Sequence, residues 1–251
     1  MILSHLDRLS PEKIETADFL PHTEKDVSKL YERLRAVLMK LANPHLRALA
    51  ECFLMDQDFV QAFCKAPAGT RVHHAYLGGL LEHVVTMLDA ADRLAPLYPD
   101  LNRDLLLMGV FLHDIGKVRE LVFDRAFAYS DEGQLVGHLV IGVEMLNEQV
   151  RHVPDLTGEP FPTELLLRLK HMIVSHHGSY EFGSPKLPMT PEAVALHHLD
   201  NLDAKVHSFT RDIRDDRTAG TWTPFSPSLQ RRLFKGGPAG DAGVPPVEAA
   251  E

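Results

Sequence analysis

His113-Asp114, inside Leu112-His113-Asp114-Ile115-Gly116-Lys117, sets an imidazole beside a carboxylate at the end of an unbroken apolar run from Leu105 to Leu112. Such a pair suits a divalent cation, and the two oxygens of one carboxylate can serve two ions at once. Asn102 and Asp104 precede the run, a pattern that predicts a buried helix carrying the pair into the interior. A carboxylate buried there is costly unless it is paired or metal-bound. Further imidazoles and carboxylates recur, each inside an apolar segment: His83 in Leu80-Leu81-Glu82-His83-Val84-Val85, His138 in Gly137-His138-Leu139-Val140-Ile141-Gly142, His176-His177 between Val174 and Gly178, and Asp200 in Leu199-Asp200-Asn201-Leu202-Asp203. A lone histidine on an apolar helix is more often a hydrogen-bonded core residue than a ligand. A succession in the order His, His-Asp, His, His-His, Asp points instead to a site between helices.

Imidazole and carboxylate donors without thiolates favour Mn, Fe, Co, Ni or Zn, whereas Mg prefers more oxygen. The core set is His83, His113, Asp114 and Asp200; His138 and His176 extend it to a second ion, with Asp114 bridging. His177 is the alternative to His176, because adjacent helical residues point about 100° apart and the sequence does not choose between them. If not a ligand, His177 is a substrate contact. Asp203, one turn beyond Asp200, is read either as a catalytic group orienting a bound water or a histidine, or as the partner of a nearby lysine. Two ions a few ångströms apart activate water and polarise a phosphoryl oxygen. Lys117, one turn after His113, would meet the negative charge that builds on such a phosphate. Arg125, Lys186 and Arg71 are weaker cations for the substrate, each read first as surface charge. His74, beside His73 ahead of the long helix predicted from His74 to Leu94, lines a substrate mouth or caps that helix. Tyr76, Tyr180 and Phe182 offer faces on which a base could stack.

The order His83, His113-Asp114, Asp200 resembles the HD superfamily of metal-dependent phosphohydrolases. Longer strings are similar to the YhaM-type 3′-to-5′ exoribonucleases: His73-His74-Ala75-Tyr76-Leu77-Gly78-Gly79-Leu80-Leu81-Glu82-His83, Ser175-His176-His177-Gly178, Glu181-Phe182-Gly183-Ser184-Pro185 and Leu199-Asp200-Asn201-Leu202-Asp203-Ala204-Lys205. The resemblance runs from about Asp18 to Lys205. It implies an all-α HD-domain helical bundle with the metal site between helices, two divalent ions, and hydrolysis of single-stranded RNA or short oligonucleotides to nucleoside 5′-monophosphates. It also implies an OB-fold RNA-binding domain ahead of the HD domain. Here the similarity begins near Phe19, so short oligonucleotides are expected over long RNA. The rival readings are a phosphohydrolase of small nucleotides or cyclic dinucleotides, a di-iron oxygenase and a non-catalytic binding module with a structural metal.

The composition is that of a folded globular chain: 251 residues, 45% hydrophobic, 24% charged and 15 histidines. A net charge of −9 excludes a broad electrostatic nucleic-acid surface, though not a local basic one. Cys52 and Cys64 make no CxxC motif or disulfide framework, and no signal peptide or membrane-length apolar run is present, so a cytoplasmic protein is expected. Oligomerisation is left open. The expected layout is an N-terminal extension over 1–22, an HD domain over 23–234 and a disordered Gly/Pro-rich tail over 235–251. A short β-hairpin is expected near 120–130, from Glu120–Asp124 and Phe127–Ser130.

Overall fold

Short polar side chains start the helices where the apolar stripes begin. In the computed structural model, which describes residues 20–70, 74–123 and 126–236, the Asp26 carboxylate accepts from the backbone N–H groups of Ser28 and Lys29 and caps α1, Val27–Leu38. Asn43 caps α2, Pro44–Met55, and Pro44 sits in the first turn, where its missing N–H is no loss. Asp56 caps α3, Gln57–Lys65. Next comes α4, Gly79–Leu94.

The long helix predicted from His74 begins instead at Gly79. His74 and Gly78 both take left-handed backbone conformations, with φ of 48° and 78°, so residues 74–78 form a tight loop rather than a first turn. A Cβ on Gly79 would lie 2.1 Å from the His74 carbonyl oxygen, which explains the paired glycines.

Asn102 caps α5, Arg103–Leu112, and every residue from Leu105 to Leu112 is buried, as the apolar run predicts. Phe111 of this helix meets Phe53 and Phe63 edge-on, at ring-centroid distances of 5.5 and 5.8 Å. Such pairs contribute about 0.5–1.5 kcal/mol beyond area burial and fix the rotation of α5. His113-Asp114 lies just past α5, in a turn leading into the short α6, Lys117–Glu120. The expected hairpin follows, with β1, Leu121–Val122, antiparallel to β2, Ala128–Tyr129. Then come α7, Asp131–Leu135; α8, His138–Val150; α9, Val153–Thr157; α10, Thr163–Ser175; and α11, Pro191–Asp215. Helix α4 packs on α1 and α5, and α10 packs on α5 and α8. This is the expected all-α bundle.

The chain divides into two structural units, residues 1–203 and 204–251. The clusters described below lie wholly in the first. Among the described residues, no helix is long and apolar enough to cross a membrane. The predicted tail beyond residue 236, most of the N-terminal extension, and Arg71, His73 and Arg125 lie outside the described residues.

Gly116 is where the turn after Asp114 touches α8. A Cβ there would lie 2.1 Å from the His138 carbonyl oxygen and 2.8 Å from the Gly142 nitrogen. Both are backbone atoms and cannot rotate away. Gly116→Ala is therefore expected to lower stability by about 3 kcal/mol and to separate His138 from Asp114, weakening metal uptake. Denaturant melts with metal analysis would check this; a variant of unchanged stability and metal content would refute the packing argument.

Candidate metal centre

The helix ends deliver the histidines. His113 caps the C-terminus of α5 and His176 that of α10, and the Nδ1 of each bonds back to a carbonyl one turn earlier: Val110 at 2.7 Å and Ile173 at 2.8 Å. The His177 Nδ1 reaches the Phe182 carbonyl at 2.8 Å, His138 Nδ1 the Glu120 carboxylate at 2.9 Å, and His83 Nδ1 the Asp203 carboxylate at 2.7 Å. All five partners accept, so the hydrogen-bond network assigns the proton to Nδ1 in each ring. In the neutral rings Nε2 is then a bare lone pair.

Four of those Nε2 atoms converge on Asp114. His83 Nε2 and His113 Nε2 are 3.3 Å apart, with His113 Nε2 at 3.3 Å and His83 Nε2 at 3.9 Å from Asp114 Oδ2, and His83 Nε2 at 3.4 Å from Asp200 Oδ1. On the other oxygen, His138 Nε2 and His176 Nε2 each lie 3.6 Å from Asp114 Oδ1, and His138 Nε2 lies 3.3 Å from His177 Nε2. Asp114 is 2% exposed, and its Oδ1 accepts no hydrogen bond among the described residues. Lone pairs facing lone pairs around a buried, unpaired carboxylate oxygen are repulsive unless cations lie between them. The donor set thus fits two divalent ions, with clusters that include His83–His113–Asp200, His113–Asp114–His176 and His138–His176–His177.

The structure brings together every residue the sequence reading named as a metal ligand, and His177 with them. His176 and His177 would point about 100° apart on a continuous helix, but α10 ends at Ser175, so both rings turn inward from the following turn. Glu120 was missed. It is buried, 18 residues from His138 in sequence, and accepts from both the backbone N–H and the ring of His138. No local pattern marks it. Asp203 sits on the Nδ1 side of His83, not among the Nε2 atoms. His74, expected at a mouth, is buried behind His83, its Nε2 3.0 Å from Asp203 and its Nδ1 2.8 Å from the Tyr76 hydroxyl. The left-handed turn at His74 is what sends it inward. Tyr180 and Phe182 are exposed, in the segment whose carbonyl holds His177.

Lys117 lies 2.6 Å from Asp114 Oδ2. Burial would push the Asp114 carboxyl up, but the Lys117 and His113 charges hold it well below the usual range, and burial of Lys117 is outweighed by Asp114 so that the ammonium is raised. Burial, reinforced by His113, keeps His176 neutral. For His83, burial favours the neutral ring, but hydrogen bonds to Asp200 and Asp203 raise it to about 9. In metal-free protein, a proton on His83 thus stands between two carboxylates.

A folded pKa raised from 6.5 to about 9 contributes stability that is fully present below 6.5 and lost as pH rises through 9. The metal-free protein is expected to melt progressively lower across that window. Metal uptake must displace the same proton, so affinity should climb by up to about tenfold per pH unit and level off above pH 9. Thermal melts in chelator and metal titrations at several pH values would check both trends. Opposite slopes would show that His83 is not the group displaced.

The HD domain family profile matches residues 80–205, half of the sequence. The chain belongs to the HD-domain family. It is 37% identical over 223 residues to the 3′-5′ exoribonuclease YhaM of Geobacillus sp. (strain WCH70), covering 89% of this chain and 66% of that protein. It is 37% identical to YhaM of Bacillus subtilis (strain 168) and 38% identical to that of Bacillus licheniformis, covering 68% of each. The chain spans about two thirds of the length of these relatives. No solved structure matches it significantly.

Proposed function

We propose that this HD-domain chain is a metal-dependent phosphodiesterase that removes nucleotides from the 3′ end of single-stranded RNA and short oligonucleotides, releasing nucleoside 5′-monophosphates, and that residues 23–234 carry the activity. The observation that carries the proposal is the buried Asp114 carboxylate, with histidine Nε2 atoms facing each of its oxygens and Lys117 at 2.6 Å. The similarity to YhaM exoribonucleases supports the choice of substrate.

In this reading His83, His113, Asp114 and Asp200 would hold one ion, and Asp114, His138, His176 and His177 would hold the second. The nitrogen-rich set favours Mn, Fe, Co or Ni over Mg. Bound there, divalent ions would supply Lewis-acid polarisation of a phosphoryl oxygen and activation of water. The protein's own groups do the rest. Asp203 and Glu120 fix the tautomers of His83 and His138, keeping each Nε2 lone pair aimed at the centre. Lys117 turns its ammonium from Asp114 to the scissile phosphate as negative charge builds there. Tyr180 and Phe182 offer exposed faces for a terminal base.

The test is digestion of single-stranded oligonucleotides labelled at either end, with each candidate metal. A 3′ label should appear first as mononucleotide, and a 5′ label should give a descending ladder. Turnover of cyclic dinucleotides alone would move the assignment to small nucleotides. Oxygen-dependent turnover with iron, and no hydrolysis, would overturn it.

A further inference from the structure

The hydrolytic centre makes no use of the residues that follow α11. Residues 216–236 hold four Lys and Arg against one Asp, in a chain whose net charge is −9. Within this segment Trp222 bridges antiparallel to Phe234, and Ser226 to Arg231. Backbone bonds from Thr223 N–H to the Leu233 carbonyl (2.9 Å) and from Lys235 N–H to the Thr221 carbonyl (2.7 Å) close the hairpin.

Its side chains are sorted unusually. Thr223, Leu229 and Leu233 are buried, while Trp222 and Phe234 are 48% and 59% exposed. The two rings lie side by side, centroids 5.1 Å apart. Arg231 and Arg232, three and two residues before Phe234, are exposed, and each is tied to the hairpin backbone through Nε, at 2.9 Å to the Leu229 carbonyl and 3.0 Å to the Thr223 carbonyl. A guanidinium has four further N–H donors for a phosphate.

We propose that this hairpin, through Trp222, Phe234, Arg231 and Arg232, binds single-stranded RNA, bases stacking on the rings and phosphates meeting the guanidinium groups. Exposed aromatics interleaved with cations hold a single strand without reading its sequence. A second copy of the chain would bring the same cations to the same hairpin, so charge argues for a polyanion. The choice of RNA rests on the exoribonuclease reading.

Trp222 is the only tryptophan in the chain, so its fluorescence reports stacking without any substitution. Full-length protein in chelator is titrated with a fluorescein-labelled oligoadenylate twelve nucleotides long, following Trp222 emission and label anisotropy together. Emission should quench in step with anisotropy. Arg231→Gln/Arg232→Gln and Trp222→Ala should each weaken binding about tenfold, the first also lowering the salt slope by about one unit per arginine. Metal-loaded variants should hydrolyse a dinucleotide at the unmodified rate.

Anisotropy that rises without quenching, or no binding at all, would overturn the proposal. So would unchanged affinity in both variants. If Trp222→Ala instead abolishes self-association and leaves RNA binding intact, the hairpin is an interface between copies. Quenching by the oligonucleotide in a protein that hydrolyses neither it nor the dinucleotide would sustain this surface and sink the exonuclease reading.

Discussion

Replacing Asp114 by alanine is expected to slow hydrolysis by more than about a thousandfold and to strip the protein of metal. Each oxygen of this carboxylate faces its own pair of histidine nitrogens, at 3.3 and 3.9 Å on one side and 3.6 Å twice on the other. No other described side chain offers oxygens to both sets. Loss of the shared ligand removes several kcal/mol of charge stabilisation, at about 1.4 kcal/mol per decade of rate. The variant strands the Lys117 ammonium, which loses its 2.6 Å partner, so a stability loss of about 3 kcal/mol is expected beside the loss of metal. Metal per protein by elemental analysis, circular dichroism and turnover would be measured on the same preparation. A folded variant with full metal content and near-normal rate would end the dinuclear reading.

Lys117→Ala is expected to retain metal and fold yet lose about a hundredfold in kcat, the usual cost of removing one donor to developing negative charge. The alternative is that Lys117 only neutralises Asp114, to which it is bonded at 2.6 Å. The two readings divide on how the loss appears. A purely neutralising lysine would change metal affinity, and excess metal would restore the rate. A lysine acting on phosphate leaves kcat depressed at saturating metal and RNA. Full recovery at saturation would refute the phosphate role.

Much of this arrangement was legible in the residues themselves. The buried run from Leu105 to Leu112 announced that His113 and Asp114 sit inside, and the apolar setting of His83, His138 and Asp200 announced their convergence. What escaped depends on where helices stop. His176 and His177 read as rivals in the sequence because the end of α10 at Ser175 depends on the turn at Gly178, whose φ is 80°. The burial of His74 depends on a left-handed residue that propensity does not foresee. Glu120 reaches His138 across a hairpin and a short helix, a distance that no periodicity encodes.

His113 and His176 end their helices at the centre, so α5 and α10 both point their carbonyl ends toward it. Each helix terminus behaves as roughly half a negative charge. Together with Asp114 and Asp200, these termini would make the centre a sink for cations and a barrier to anions before metal binds. On the proposed function this dictates an order of events: an RNA phosphate is repelled until the metals are seated, so loading precedes substrate. A cell that withholds the metal thereby closes the centre to RNA, with no lid, inhibitor or covalent modification required.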